Sequence, residues 1–275
     1  MATRKRIEEK KRQLHQENKE KKVSTPEYDL KTVLAWAAPK EDGAPIIAMP
    51  NIPKPIHGLA PRTVLGDSTW QHMRKRCYFE AGYKSQISGI DLDRSSAQLR
   101  PNAHELYSYN YYTGEALFER AVCISPLEHN FIHSGRMLTM YKKGNPLMPK
   151  SYLLAAVENG FRIIKEWNDA HPKERPLRVY YTFIEYAKTP SIANEIQELI
   201  EKYDIKFYRE SFDTPSKWSD WHLKIGNRIY KTPYADINEW EKVMGANDLT
   251  NQNAAVDNIL SSDLDQEIEN ILNAD

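Results

Sequence analysis

The chain has 275 residues, of which 40% are hydrophobic and 11% aromatic, so it is long enough to bury a substantial core. No apolar run approaches the roughly 18 residues that a membrane-spanning helix needs, and no apolar signal core follows the charged N-terminus. We therefore expect a cytoplasmic protein that binds no membrane. Two cysteines, Cys77 and Cys123, exclude a disulfide framework and a four-cysteine zinc site.

The net charge is zero, but the charge is unevenly distributed. Residues 1–22 hold nine Lys and Arg against four Glu, whereas residues 246–275 hold seven acidic residues and no basic one. The basic arm suits a polyanion such as nucleic acid, although a charged helix that only aids solubility would have the same composition. Prolines are frequent in residues 26–61, which indicates extended linker. We therefore predict that residues 1–60 form a basic arm and a proline-rich linker.

Two strands and a short helix are predicted next. The stretch "AHELYSYNYYTGEALFERAVCIS" is rich in Tyr and Phe, and its Thr-Gly pair is typical of a hairpin turn. Ser125 is a candidate N-cap for the helix that follows, with Pro126 at the first helical position and Gly135 near the end. The order strand, turn, strand, helix is the main local prediction.

The second half of the chain predicts alternating helices and strands. An amphipathic helix has Leu153, Val157, Phe161 and Ile164 on one face. The stretches "LRVYYTFIEYA", "PSIANEIQELIEKY" and "DIKFYRES" then predict a strand–helix–strand unit, which is a small α/β layer. Together with the hairpin, these elements predict an α+β fold.

The acidic tail has apolar residues at helical spacing. These are Leu260, Leu264, Ile268 and Leu272, and acidic residues fill the other faces. Such a helix can dock on a protein partner, pack back on its own domain, or fray. All three alternatives remain open at this point.

Three of the eight histidines fall within the predicted strand–strand–helix segment. His129 and His133 have the i, i+4 spacing that places two imidazoles on one helix face, where they can bind one cation. His104, on the first strand, reaches the same cation if the hairpin folds onto the helix. A cation beside a free imidazole is an efficient arrangement for phosphodiester hydrolysis. The pair also arises by chance, so a purely packing role stays open.

Several blocks of the sequence resemble a family of bacteriophage HNH endonucleases. The blocks are "GLAPRTVLGDSTW", "AHELYSY", "ALFERAVCISPLEHNFIHSGR" and "WSDWHLKIGNRIY", and they occur in the family's order between about residues 61 and 245. The resemblance implies an HNH-like ββα-metal module at residues 61–145, an α/β region at residues 146–245, and the acidic tail at residues 246–275. It also implies metal-dependent cleavage of DNA, in the host cytoplasm if a phage encodes the chain.

The resemblance assigns roles to individual residues. It implies that His104 is the general base and that His129 and His133 are ligands of one divalent cation (Mg2+, Mn2+ or Ni2+), with Glu128 as a further ligand. Asn130 is expected to set helix polarity or orientation. Arg120 and Arg136 are the predicted phosphate-binding residues, because arginine matches phosphate geometry but cannot ligate a cation.

The sequence departs from the family at its zinc-binding positions. Members commonly carry two CxxC pairs that bind a structural zinc, and here those positions hold Ser85, Ser88, Ser125 and Glu128. Serine is a poor zinc ligand, so we expect no structural zinc, and packing must supply the folding energy that the zinc would give. The acidic residue that often precedes the first histidine is Ala103 here.

Three functions are therefore compatible with the sequence. The first is an active, zinc-free HNH-like DNA endonuclease. The second is a catalytically inactive, nuclease-derived protein that binds DNA or a protein partner. The third is an unrelated structural or regulatory α+β protein whose histidines only pack.

Overall fold

A computed structural model describes residues 43–96, 99–180, 182–208 and 217–247. The predicted basic arm and almost all of the acidic tail lie outside these residues. The described part combines eight α-helices with six strands, which confirms the predicted α+β class. The helices are α1 (Pro61–Leu65), α2 (Asp67–Glu80), α3 (Pro126–Ile132), α4 (Ser134–Lys142), α5 (Lys150–Ala170), α6 (Phe183–Ala187), α7 (Ala193–Lys202) and α8 (Ile237–Asn247). The strands are β1 (Asn102–Asn110), β2 (Glu115–Ile124), β3 (Val179–Tyr180), β4 (Phe207–Tyr208), β5 (His222–Ile225) and β6 (Arg228–Lys231).

The predicted hairpin is present and forms half of a four-stranded sheet. Strands β1 and β2 pair antiparallel, and the sheet order is β1-β2-β5-β6. Gly114 closes the hairpin with a φ of +74°, a conformation that residues with a Cβ rarely adopt. A Cβ at this position would also lie 2.9 Å from the backbone of Asp220 and Trp221. Gly114 therefore serves both the turn and the close approach of the chain that enters β5.

Strands β5 and β6 join the hairpin from far along the chain. Strand β5 pairs parallel with β2, with Glu115 opposite His222 and Leu117 opposite Lys224. Trp221, Leu223 and Ile225 are buried in one core with α2 and the hairpin. The sheet therefore crosses the domain boundary that the sequence analysis places at residue 145.

A second core surrounds the long helix α5. Its apolar face is the predicted one, because Leu153, Val157, Phe161 and Ile164 are all buried. Helix α3 packs on this face, so α5 is the platform for the segment that carries His129. The helix prediction for this stretch is confirmed.

The strand–helix–strand unit is much smaller than predicted. Strands β3 and β4 are parallel, with α6 and α7 between them, but each strand has only two residues. Five of the eleven residues predicted as a strong strand, Phe183–Ala187, form helix α6 instead. Phe183 and Tyr186, three residues apart, both enter the core around α5, and a helical turn achieves this where an extended strand would not.

Residues 43–60 contribute to both cores. They form two short 3-10 helices, Ala44–Ala48 and Lys54–Ile56, in keeping with their prolines. Ile46 and Ile47 are buried beside α5, and Ile56 is buried near α2. The last part of the predicted linker is thus packed against the folded protein. Among the described residues, no helix combines the length and apolar character needed to cross a membrane.

Candidate metal site

The first residue of the site lies on the edge strand β1. His104 is paired with Val122 of β2, so the two side chains share the face of the hairpin that covers the α5 core. The neighbouring Glu105 pairs with Ala121, which belongs to the core on the opposite face. Successive side chains of a strand point to opposite faces, so Glu105 points away from His104.

The other two histidines come from the segment that follows β2. Ser125 caps helix α3 as predicted, with Pro126 at the first helical position. The helix ends at Ile132, because His133 leaves the helical conformation with φ −86° and ψ +44° before α4 begins. The predicted i, i+4 relation nevertheless holds, because the backbone N–H of His133 donates to the His129 carbonyl at 3.1 Å. His133 stands at a break between two helices.

This break still brings the three imidazoles together. The ring centroid of His133 lies 4.8 Å from that of His129 and 5.0 Å from that of His104, and the third pair is 5.5 Å apart. One nitrogen from each ring lies within 4.8 Å of the other two. We call His104, His129 and His133 the histidine cluster, and it could bind a metal ion.

No protein-family model, no curated protein and no solved structure matches the chain. The chemistry of the histidine cluster therefore has to be argued from its own geometry. The resemblance to HNH endonucleases stays a prediction.

The surroundings of the cluster keep its imidazoles uncharged at neutral pH. Burial lowers the pKa of His104 well below its usual value, and the neighbouring His133 and His129 lower it further. The pKa of His129 is also well below the usual range, through burial, His133 and the charge of Arg136. Burial and the charges of Arg136 and His57 lower the pKa of His133 to about 4. Neutral imidazoles have the free lone pairs that bind a cation.

A buried hydrogen-bonded group lies directly before the cluster. The Glu128 carboxylate accepts hydrogen bonds from the Ser85 hydroxyl and from the backbone N–H of Ser125, both at 2.7 Å on Oε2. The Ser125 hydroxyl in turn accepts from the backbone N–H of Glu128 at 3.3 Å. We call Ser85, Ser125 and Glu128 the serine–glutamate clasp. It ties the turn at Ser85 to the start of the helix that carries His129.

The clasp changes the predicted role of Glu128. Its side chain is fully buried and directed to Ser85 and Ser125, and it is not part of the histidine cluster. Glu128 therefore holds the start of α3 in place, which corrects its assignment as a metal ligand. The Ser-x-x-Glu pattern ahead of an apolar run is the signature of a capping box, so the sequence did contain a signal for this role.

Three of the four predicted zinc positions therefore meet in the clasp. The fourth, Ser88, lies in the turn that leads away from Ser85, and its backbone N–H donates to the Ser85 hydroxyl at 3.2 Å. The Ser88 hydroxyl is buried and has no hydrogen-bond partner among the described residues. Hydrogen bonds thus join two chain segments at the place where the family is expected to use a metal.

The two predicted phosphate-binding arginines lie in different environments. Arg136 is exposed, and its charge is close enough to lower the pKa of His129 and His133. Arg120 is only 2% exposed, and it lies close enough for its charge to act on Cys77, whose pKa burial raises. Arg136 is therefore well placed for a phosphate beside the cluster, whereas Arg120 is buried away from solvent.

Asn130 faces the long helix rather than the cluster. Its side-chain N–H group donates to the Pro126 carbonyl at 2.9 Å and to the Tyr152 hydroxyl at 3.0 Å. Tyr152 belongs to α5, so this bond links α3 to its platform. The contact agrees with the orienting role that the resemblance implies, and Tyr152 is a supporting residue that the sequence analysis did not identify.

Proposed function

We propose that the chain is a metal-dependent, HNH-like DNA endonuclease without a structural zinc. The observation that carries the proposal is the convergence of three neutral imidazoles, from β1 and from the segment after β2, within 4.8 Å. A strand hairpin followed by a helix around one cation is the arrangement that the resemblance implies. The exposed Arg136 beside the imidazoles supports a phosphate-containing substrate.

The residues of the site fit a divalent cation by their chemistry. Imidazole nitrogen is a common metal ligand, and all three rings are uncharged at neutral pH. A bound cation would neutralise charge on the scissile phosphate and on the leaving oxygen. Arg136 would hold a phosphate oxygen and fix the register of the DNA backbone.

The role of His104 as general base is compatible with its neutral state. A neutral imidazole accepts a proton from water, or it donates the same lone pair to a cation, but one nitrogen cannot do both. Apart from His104, the two imidazoles of His129 and His133 remain to hold the cation. The two roles for His104 predict different results in metal binding.

A cleavage assay tests the proposal. The purified full chain is incubated with supercoiled plasmid and with single-stranded DNA in Mg2+, Mn2+, Co2+, Ni2+ or Zn2+. We expect nicking that requires a cation and is lost in His129→Ala and His133→Ala. His171→Ala is the matched control, because His171 stacks on Trp167 outside the cluster and should leave cleavage unchanged.

The second candidate function is a nuclease-derived protein that binds DNA or a protein partner without cutting. Two observations favour it. Among the described residues no carboxylate belongs to the histidine cluster, and Arg120 is buried. Salt-sensitive DNA binding without cleavage in any cation would support this function against the first.

The basic arm offers a separate test of DNA as the partner. Deletion of residues 1–22 removes nine Lys and Arg, so it should weaken DNA affinity and make the dependence of affinity on salt shallower. An unchanged salt dependence would leave the arm as a solubility feature.

A further inference from the structure

We infer that His104 is a third metal ligand, so that the histidine cluster is a three-imidazole site for a borderline cation such as Zn2+ or Ni2+ rather than for Mg2+. The inference rests on the proposed metal-dependent function and concerns the cation of the same site. It changes the role of His104 from the general base that the resemblance implies.

The first support is the hydrogen bonding of the described histidines. His57, His72, His171 and His222 each have a ring nitrogen bonded to a backbone carbonyl, at 2.8 to 2.9 Å. The three histidines of the cluster have no such bond to any described residue. The ring nitrogens of the cluster are therefore not engaged by the backbone and are left to bind a cation.

The second support is the unpaired nitrogen of His104 itself. The side chain is 2% exposed, and Nδ1 is sealed from solvent with no hydrogen-bond partner among the described residues. A buried polar atom without a partner destabilises the fold, and in His104 this atom is a ring nitrogen that can bind a cation. The rings that surround His104 are those of His129 and His133, which offer nitrogens of the same kind.

The three nitrogens are close enough to reach a single cation after a modest closure. In the tetrahedral geometry of zinc, two nitrogens bound at about 2.1 Å lie about 3.4 Å apart. The nitrogens of the cluster all lie within 4.8 Å of one another, so the widest pair must close by at most about 1.4 Å. Two of the three come from one short segment around the break at His133, where a small rotation of side chains moves them.

The chemistry of the donor set selects the cation. Imidazole suits Zn2+, Ni2+ and Cu2+, whereas Mg2+ takes oxygen ligands in octahedral geometry. The nearest carboxylates along the chain are directed elsewhere, since Glu128 belongs to the clasp and Glu105 faces the other core. Three protein ligands with one position left open is the pattern of a catalytic zinc site.

Cobalt binding to the full chain tests the inference without DNA. Metal is first removed with a chelator, and Co2+ is then titrated while its visible absorption is recorded. We expect one Co2+ per chain, displaced by an equimolar amount of Zn2+ and retained in a large excess of Mg2+. His104→Ala should lower Co2+ affinity at least about tenfold and change the absorption spectrum, because one nitrogen ligand is lost. His171→Ala should bind like the wild type.

The outcomes separate this inference from the proposed function. If His104→Ala binds Co2+ with wild-type affinity and spectrum, His104 is not a ligand and the inference is overturned, while cleavage can still require it as a base. If the wild type binds Mg2+ in preference to Co2+, the inference also fails. Three-histidine binding of Co2+ together with no cleavage of any DNA would overturn the proposed function alone. His104→Gln, close in size but without the ring nitrogens, repeats the test should His104→Ala unfold.

Discussion

Gly160 lies where helix α5 contacts helix α3, which carries His129. A substitution at Gly160 therefore perturbs the packing between these two helices directly. A Cβ added at Gly160 would lie 2.2 Å from Cδ2 of the Phe131 ring and 2.5 Å from its Cγ. Ordinary contacts begin near 3.4 Å, so Gly160→Ala demands a displacement of at least 1.2 Å. The Phe131 ring has little room to move, because it stacks on the Phe183 ring and packs at a right angle to the Phe161 ring. The ring centroids are 4.7 Å and 5.8 Å apart, respectively.

The change in unfolding free energy expected for Gly160→Ala combines two opposing contributions. Overpacking a core typically costs about 1–3 kcal/mol, and the short contact at Phe131 places Gly160→Ala toward the upper end. Replacing a glycine inside a helix by alanine stabilises the helix by roughly 0.5–1 kcal/mol. We therefore expect a net loss of about 2 kcal/mol, which corresponds to a fall in Tm of about 4–8 °C for a folded unit of this size.

Gly135→Ala is the matched control for this change. Gly135 also lies in a helix, α4, but the nearest side-chain atom to an added Cβ is Cγ2 of Thr182 at 4.0 Å. This variant should gain up to about 1 kcal/mol instead. Thermal unfolding followed by circular dichroism compares the two variants with the wild type. If Gly160→Ala raises Tm as much as Gly135→Ala does, then α3 does not pack on α5 through Phe131 as described.

The remaining predictions concern the clasp, the thiols and the response to pH. Ser85→Ala removes a buried hydrogen bond to a carboxylate and should lower the unfolding free energy by about 1.5–3 kcal/mol. Ser88→Ala should be close to neutral, because the Ser88 hydroxyl has no hydrogen-bond partner among the described residues. Equal effects of the two substitutions in urea unfolding would contradict the clasp. Burial raises the pKa of Cys123 to about 12 and that of Cys77 further above its usual range, so neither should react with a thiol reagent at pH 8 until the chain is unfolded; rapid labelling of the native protein would refute this. In metal-free protein the pKa values of the cluster histidines are lower in the folded state than in the unfolded state. The unfolded state therefore binds more protons between about pH 6.5 and pH 4. The free energy of unfolding keeps its full value above about pH 6.5 and decreases as the pH falls through this window. His133→Gln should make this loss smaller by up to about 3 kcal/mol, and an unchanged pH profile would argue against its buried neutral state.

The sequence predicted those elements whose pattern is local. The hairpin has its turn glycine and its alternating aromatic residues, and α5 has apolar residues at helical spacing, so both were predicted correctly. Trp70, Met73 and Cys77 are buried along α2 at the same helical spacing, whereas Phe79 is 53% exposed because it lies on the far side of the helix.

Features that depend on distant contacts were not predictable. No sequence pattern in β5 or β2 predicts their parallel pairing, since β5 has only four residues and an ordinary alternation of buried and half-buried side chains. The strand predicted around Phe183 has a strong β pattern, but tertiary packing selects a helix there. At the site, the histidine spacing identified the residues that meet. The break at His133 and the link from Glu128 to Ser85 depend on neighbours that no local pattern specifies.

The parallel pairing of β2 with β5 has a consequence for synthesis of the chain. Between the end of β2 at Ile124 and the start of β5 at His222, roughly 100 residues must be translated, which takes about 5–20 s at about 5–20 residues per second. Throughout that interval the edge of the hairpin at residues 115–117 has N–H and C=O groups whose partner strand, β5, has not yet been made. A product that stops near residue 217 lacks β5 and leaves this edge unpaired by it, so we expect such a product to pair with another copy more readily than the full chain does.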